Sequence, residues 1–239
     1  MKKYITIAAL LAAGSSLASA NIDTSQWDTL TYTLVSNTSG TISQNHLDSG
    51  RAGFKELNLN GETLSGISGT DYSWSVSFKL GEALTSVPAS GHLLFSTKGG
   101  NNGSGICIGL DSVTGDNYTF ALRHGIPTQV YASKTRLKTF TGSFDDTLSL
   151  SWDAATKNLY FEVGTQSYNY QIQTPVDIVL STEAISTVAD GTTFWTNSGH
   201  EKLTDITVKA HAIPEPSTFG LLAGIGALAL VGTRRRKRA

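Results

Sequence analysis

The sequence predicts an all-β body, two antiparallel sheets packed face to face, flanked at both ends by segments of a different kind. Apolar residues alternate with polar ones at Leu30, Tyr32 and Leu34; at Tyr72, Trp74, Val76, Phe78 and Leu80; at Leu148, Leu150 and Trp152; and at Leu159, Phe161 and Val163. Successive side chains of a strand point to opposite faces, so each set lines one side of a sheet. Turn-forming clusters lie between such runs, at Lys98 to Ser104, Ser112 to Asp116 and Asp153 to Asn158. No window from Asn21 to Ala212 sustains a helical period beyond a short turn around Thr182 to Thr187. Ten or more short strands without a repeat of fixed period favour a sandwich over a propeller or solenoid.

In chain order, Met1, Lys2 and Lys3 precede an apolar stretch from Tyr4 to Ala13 and then Ala18-Ser19-Ala20. These are the charged, hydrophobic and small-residue regions of a secretory signal peptide, with Ala18 and Ala20 as the small residues of the cleavage site and Asn21 as the first mature residue. No cysteine lies there to take a lipid, which excludes a lipoprotein route. The expected organisation is a signal peptide over 1–20, a sandwich over 21–212 and a C-terminal segment over 213–239.

Between Asn21 and Ala212 stand eleven Lys/Arg against eighteen Asp/Glu, a formal charge of −7 that the cationic ends mask in the whole-chain value of −1. An acidic body without a basic, aromatic-interleaved patch is a poor partner for nucleic acid. Its length suits one domain with a substantial core. Further strands are expected at His92 to Ser96, Gly105 to Leu110, Tyr118 to Arg123, Gln129 to Ala132, Ser167 to Gln171, Thr193 to Thr196 and Leu203 to Ala210. Cys107 is the sole cysteine, so no intrachain disulfide forms, and among Ile106, Ile108 and Leu110 it reads as a small core hydrophobe.

The C-terminal segment runs Ile213-Pro214-Glu215-Pro216-Ser217-Thr218, then an uncharged stretch from Phe219 to Thr233, then Arg234, Arg235, Arg236, Lys237 and Arg238. As a helix, the fifteen residues from Phe219 to Thr233 cover roughly 22 Å of a roughly 30 Å hydrocarbon core, marginal for a permanent span. Pro216 and Ser217 can open the helix a turn earlier, and arginine stems can snorkel toward headgroups. The five cations are expected to stay cytoplasmic, which places everything before Pro214 outside the cytoplasm. Gly220 and Gly224 form a small-xxx-small pair that also suits ordinary filler.

Pro-Glu-Pro, a short glycine-rich apolar helix and a terminal arginine cluster, in that order, closely resemble the PEP-CTERM sorting signal of Gram-negative bacteria. The resemblance covers Ile213 to Ala239 and implies recognition by an exosortase, a membrane-embedded cysteine protease expected to cut near Pro214, Glu215 and Pro216. It implies export through the general secretion machinery, transient insertion in the inner membrane, and delivery to the cell envelope, cell surface or extracellular matrix. Such proteins are often found beside exopolysaccharide or biofilm genes.

A second resemblance covers roughly Leu30 to His211. The runs Asp71 to Phe78, Leu93 to Ser96, Leu148 to Gly164 and Leu203 to Val208 are similar in order and spacing to the concanavalin A-like, or laminin-G-like, jelly roll. That resemblance implies glycan binding, protein binding or polysaccharide hydrolysis, and fold alone does not choose among them.

The familiar jelly-roll glycosidases carry Glu-x-Asp-x-Glu on one strand, placing carboxylates on one face within reach of one bond. No two of the nineteen acids here are two positions apart. Asp145 and Asp146 would face oppositely if extended, and Glu201 and Asp205 would lie roughly 13 Å apart on a strand. No catalytic residue is assigned. Asp111 to Asp116 with Asp145, Asp146 and Asp153 can donate to calcium, yet no EF-hand-type loop occurs. His46, His92, His124 and His200 are scattered and read as surface or turn residues, so no metal or other cofactor is expected. The stretch Gly99 to Gly105 lacks a following Lys-Ser/Thr and reads as a hairpin loop, and the three Asn-x-Ser/Thr patterns at Asn37, Asn102 and Asn117 read as coincidental beside a bacterial sorting tail. For a glycan, the best cluster is Trp195 with Asn197, Ser198 and His200, a stacking face beside hydrogen-bonding groups; the same tryptophan would also serve to close the sandwich edge. Trp74 and Trp152 read as core. The expectation is a non-catalytic adhesive, glycan-binding or matrix protein, against the alternative of a glycoside hydrolase or lyase on the same fold.

Overall fold

The computed structural model describes residues 22–36, 42–43, 46–47, 50–84, 87, 91–97, 105–125, 133–181, 192–196 and 202–213, with backbone alone for 42–43, 46, 195 and 196. In chain order the strands are β1 (Asp28–Thr29), β2 (Thr31–Ser36), β3 (Ile42–Ser43), β4 (His46–Leu47), β5 (Gly50–Leu59), β6 (Glu62–Leu64), β7 (Gly66–Ile67), β8 (Tyr72–Leu80) and β9 (His92–Ser96). They continue as β10 (Gly105–Thr114), β11 (Asn117–Gly125), β12 (Thr135–Gly142), β13 (Leu148–Asp153), β14 (Asn158–Val163), β15 (Gln166–Gln171), β16 (Ile178–Val179), β17 (Thr193–Thr196) and β18 (Leu203–Ala212). The described residues contain no α-helix.

The body is an all-β, two-sheet antiparallel sandwich, as the alternation predicts. One sheet runs β15-β14-β13-β8-β18-β4-β3 with β1 on β18; the other runs β12-β11-β10-β9-β17-β5-β2 with β6 on β5. A two-stranded ribbon, β16 with β7, closes one end. We call the first sheet A and the second sheet B.

The alternating sets enter the core as expected. Trp74, Val76 and Phe78 on β8, Leu148, Leu150 and Trp152 on β13, and Leu159, Phe161 and Val163 on β14 are all at most 1% exposed. Sheet B answers with Phe54, Phe95, Ile106, Ile108, Phe120 and Phe194. Phe78 of sheet A meets Phe194 of sheet B edge-on at 5.9 Å, and Phe194 in turn touches Phe54 at 5.4 Å and Phe95 at 5.1 Å. Edge-to-face aromatic contacts of this kind add to plain area burial. The sheets are also tied by a polar bond: the Tyr32 hydroxyl donates to the Ile206 carbonyl at 2.7 Å. That carbonyl lies in a β18 bulge between Thr204 and Thr207, beside Asp205 at φ 54°, so the bulge frees an acceptor that the ladder would otherwise occupy.

Several strands depart from expectation. β5, a ten-residue strand, is absent from the expected set because its alternation slips: Phe54 and Leu57 are both buried, with a bulge at Lys55 against β2. β12 reads Thr-Arg-Leu-Lys-Thr-Phe-Thr-Gly and buries only Phe140, as a sheet edge does. β10 continues to Thr114, so the turn expected at Ser112 to Asp116 shrinks to Gly115 and Asp116, with Gly115 at φ 59°. The turn at Asp153 to Asn158 is present as residues 154–157. The expected strand at Gln129 to Ala132, the short turn at Thr182 to Thr187 and the loop at Lys98 to Ser104 lie outside the described residues, as do the signal peptide and the apolar C-terminal segment. Among the described residues no helix is long and apolar enough to cross a membrane.

Candidate functional site

Most residues that sequence reasoning singles out sit at or beyond the edges of the described structure. Ala18 and Ala20, Pro214, Glu215 and Pro216, Arg234 to Arg238, Asn197 and His200 lie outside it. Trp195 is placed by its backbone alone, in β17 opposite Arg51 of β5. What the structure does build is the point where the C-terminal segment leaves the body.

That point is the sandwich rim at the end of β18. His211 pairs with Ser73 and Ala212 with Tyr72 of β8, and the Ile213 N–H donates to the Asp71 carbonyl at 2.8 Å. Pro214 follows with no residue between. The rim itself is braced from inside. Trp74 donates its indole N–H to the Val176 carbonyl at 2.6 Å, and Trp152 donates to the Gly69 carbonyl at 2.7 Å. Gly69 N–H donates to an Asp177 carboxylate oxygen at 2.8 Å. A Cβ on Gly69 would stand 2.4 Å from the Val176 carbonyl, so only glycine fits between the two segments. Beside this brace an open cleft of about 330 Å³ is lined by Ser65, Ser68, Asp71, Tyr72 and Asp177 among others.

A second polar assembly lies on the face of sheet B that turns away from the core. Ile106 and Ile108 enter the core, so Cys107 between them lies on the opposite face. Across that face Thr193, Ser96, Cys107, Arg123 and Arg136 stand in one row. Arg123 donates twice to Asp111, at 2.9 and 3.1 Å, and once to the Lys134 carbonyl at 3.2 Å. Arg136 reaches Oδ2 of the same carboxylate at 2.6 Å. The side chains of Arg123 and Asp111 are only 8% and 9% exposed, so this is a desolvated pair held by charge-assisted bonds. Burial pushes the Cys107 thiol up to about 12, which removes it from nucleophilic chemistry at ordinary pH. Burial likewise lowers Lys134 and His124.

The outer face of sheet A is hydroxyl-rich. Lys209, Ser75, Ser151, Tyr160 and Asn169 form one row and Thr207, Ser77, Ser149, Glu162 and Ser167 the next. Burial raises the Glu162 carboxyl, whose cross-strand neighbours Ser149 and Ser167 are hydroxyls and not a second carboxylate.

Four of the acids considered as calcium donors, Asp111, Asp145, Asp146 and Asp153, are otherwise engaged. Asp111 is not a loop residue but a bulged position of β10 between two arginines. Asp146 accepts the Ser143 N–H at 2.8 Å, Asp145 accepts the Ser143 hydroxyl, and Asp153 accepts from Ala155 N–H and the Thr156 hydroxyl within its turn. Among the described residues no three His, Cys, Asp or Glu side chains are grouped to hold a metal ion. His92 and His124, expected at the surface or in turns, are half-buried strand residues. Sequence reading misses the rim brace and the Asp111–Arg123 pair; a cation directly after the apolar run Phe120-Ala121-Leu122 is the one signal that a buried partner waits for Arg123.

Residues 212–237 match the PEP-CTERM protein-sorting motif, so the matched stretch begins on the last residue of β18. This motif implies export, sorting to the cell surface and processing by exosortase. No curated protein matches the chain. Among solved structures, similarity extends to an alginate lyase from Alteromonas sp. 272, at 10% identity over 77% of this chain and 95% of that one with a TM-score of 0.39. It also extends to a native heptameric SAP-like pentraxin from Limulus polyphemus, at 13% identity over 79% of this chain and 77% of that one with a TM-score of 0.32. Likenesses of this size bear on neither ligand nor chemistry.

Proposed function

We propose that the mature body is a non-catalytic, concanavalin A-like sandwich that the sorting signal delivers to the cell surface or extracellular matrix, where it contacts glycan or exopolysaccharide in adhesion or biofilm structure. The observation that carries the proposal is the sorting motif joined directly to the last strand of the sandwich. Composition supports the extracellular setting: the body holds one cysteine, buried, and so offers no thiol to an oxidising medium.

Two features support binding without catalysis. The described carboxylates nearest to enzymatic use are spent on structure: Asp111 on two arginines, Asp146 and Asp153 on turns, and Asp177 on the rim. Glu162, raised by burial, has hydroxyl neighbours and no paired acid across its strands. The half-buried row Thr207, Ser77, Ser149 and Ser167 on the outer face of sheet A is suited to hydrogen-bonding sugar hydroxyls, and Trp195, Asn197 and His200 are the residues proposed for glycan contact. A glycan array run beside a sugar-release assay on the mature body, Asn21 to Ala212, tests this. Saturable binding without released product is the expected result; released oligosaccharide would assign the body to the alternative, a glycoside hydrolase or lyase.

A further inference from the structure

The sorting signal and the sandwich share residues, and this has a mechanical result. Ala212 is at once the first residue of the matched motif and the last of β18, and Ile213 still donates to Asp71. From Ile213 to Phe219, where the apolar stretch opens, there are six Cα steps, at most about 20 Å when fully extended. The polar headgroup layer alone is ~5–8 Å deep on each side of the hydrocarbon. While the apolar segment is inserted, the rim carrying Asp71, Tyr72 and Asp177 is therefore held close against the membrane surface. A protease that grips its substrate as an extended strand needs backbone on both sides of the cut. Upstream of Pro214 that backbone is hydrogen-bonded into sheet A.

We propose that the end of β18, His211 to Ile213, peels from β8 when the sorting protease engages, and that this opening limits the rate of processing. The rim is built to make the opening local. The Ile213–Asp71 bond and the Ala212–Tyr72 pair are the last contacts of a strand end, where fraying is least costly, while Trp74 and Trp152 fasten the neighbouring Gly69 and Val176 segments to the core. The folded body thereby holds its own signal until the membrane-bound enzyme competes for it, and the released product closes the strand again.

This inference rests on exosortase handling, so the test separates the two. Four full-length chains are followed by pulse-chase in cells that carry the sorting protease: the natural chain, a chain with six Gly/Ser residues inserted between Ile213 and Pro214, a Tyr72→Cys/Ala212→Cys double variant, and Glu215→Ala. Cross-strand Cα pairs lie within disulfide reach, and buried Cys107 does not compete. The spacer is expected to speed conversion about five-fold or more, the gain from sparing roughly one net hydrogen bond. The disulfide is expected to slow it at least as much, with recovery on reduction. Natural rates in both the spacer and disulfide chains, with Glu215→Ala unprocessed, would overturn the peeling step and leave sorting intact. Normal processing of Glu215→Ala would overturn both.

Discussion

Trp74 and Trp152 are cross-strand partners on β8 and β13, and each donates its indole N–H to a backbone carbonyl of the same rim, Val176 at 2.6 Å and Gly69 at 2.7 Å. Both side chains are at most 1% exposed. A tryptophan pair chosen for apolar bulk alone would leave two buried N–H groups unmet. Here they fasten the loop and the short β7–β16 ribbon to the end of the core, and that end is where the sorting signal departs.

Replacing Trp152 by Phe keeps a ring in the core and orphans the Gly69 carbonyl. A loss of ~1–3 kcal/mol is expected in denaturant unfolding, the cost of a buried acceptor without its donor. Gly69→Ala is expected to cost more, because its Cβ meets backbone and cannot push aside a flexible side chain.

Asp111→Asn removes the charge that two arginines share. With the side chain of Arg123 8% exposed, the loss is expected to be ~3–5 kcal/mol, as for breaking a buried pair from one side. Arg136→Ala, at a guanidinium 55% exposed, is expected to cost ~0–1 kcal/mol. Urea melts of the two variants side by side check the contrast.

Cys107 is predicted to resist alkylation in the folded body and to label fully once the chain is unfolded, because burial both hides the thiol and pushes its pKa to about 12. Labelling with iodoacetamide at pH 8, with and without urea, reads this by mass.

Burial lowers the folded-state pKa of His124 below the usual histidine value. The unfolded chain therefore takes up its proton first, so this group's contribution to stability is complete above the unfolded pKa of ~6.5 and is lost as pH falls through the folded value. Glu162, raised by burial, acts in the opposite sense: its contribution is present below the unfolded carboxylate range and lost as pH rises through its folded value. The natural chain and a His124→Gln variant, melted between pH 7.5 and 5, should diverge, with the variant losing less stability on acidification.

How much of this could be read from sequence depends on what each residue faces. The strands β8, β13 and β14 are legible because their core-facing residues alternate without interruption. β5 is not, since a bulge at Lys55 puts Phe54 and Leu57 on the same side three residues apart, a spacing that breaks the alternation of a strand and reads as helical. Trp74 and Trp152 are recognisable as core, but their hydrogen bonds are not, for the acceptors lie 102 and 83 residues away and are backbone carbonyls with no side-chain signature. Asp111 looks like a loop donor because Ser112, Gly115 and Asp116 follow it; in the fold the strand runs on past it and two arginines take its charge. The sorting signal is legible from its residues alone, whereas its fusion to β18 needs the sheet register.

The most direct measurement of the central claim is an intact mass spectrum of the protein recovered from the surface or medium of cells that make it. A mature chain that begins at Asn21 and ends within Ile213 to Pro216, without the Arg234 to Arg238 tail, is the predicted result. A chain that keeps this tail and remains in the membrane fraction would contradict it.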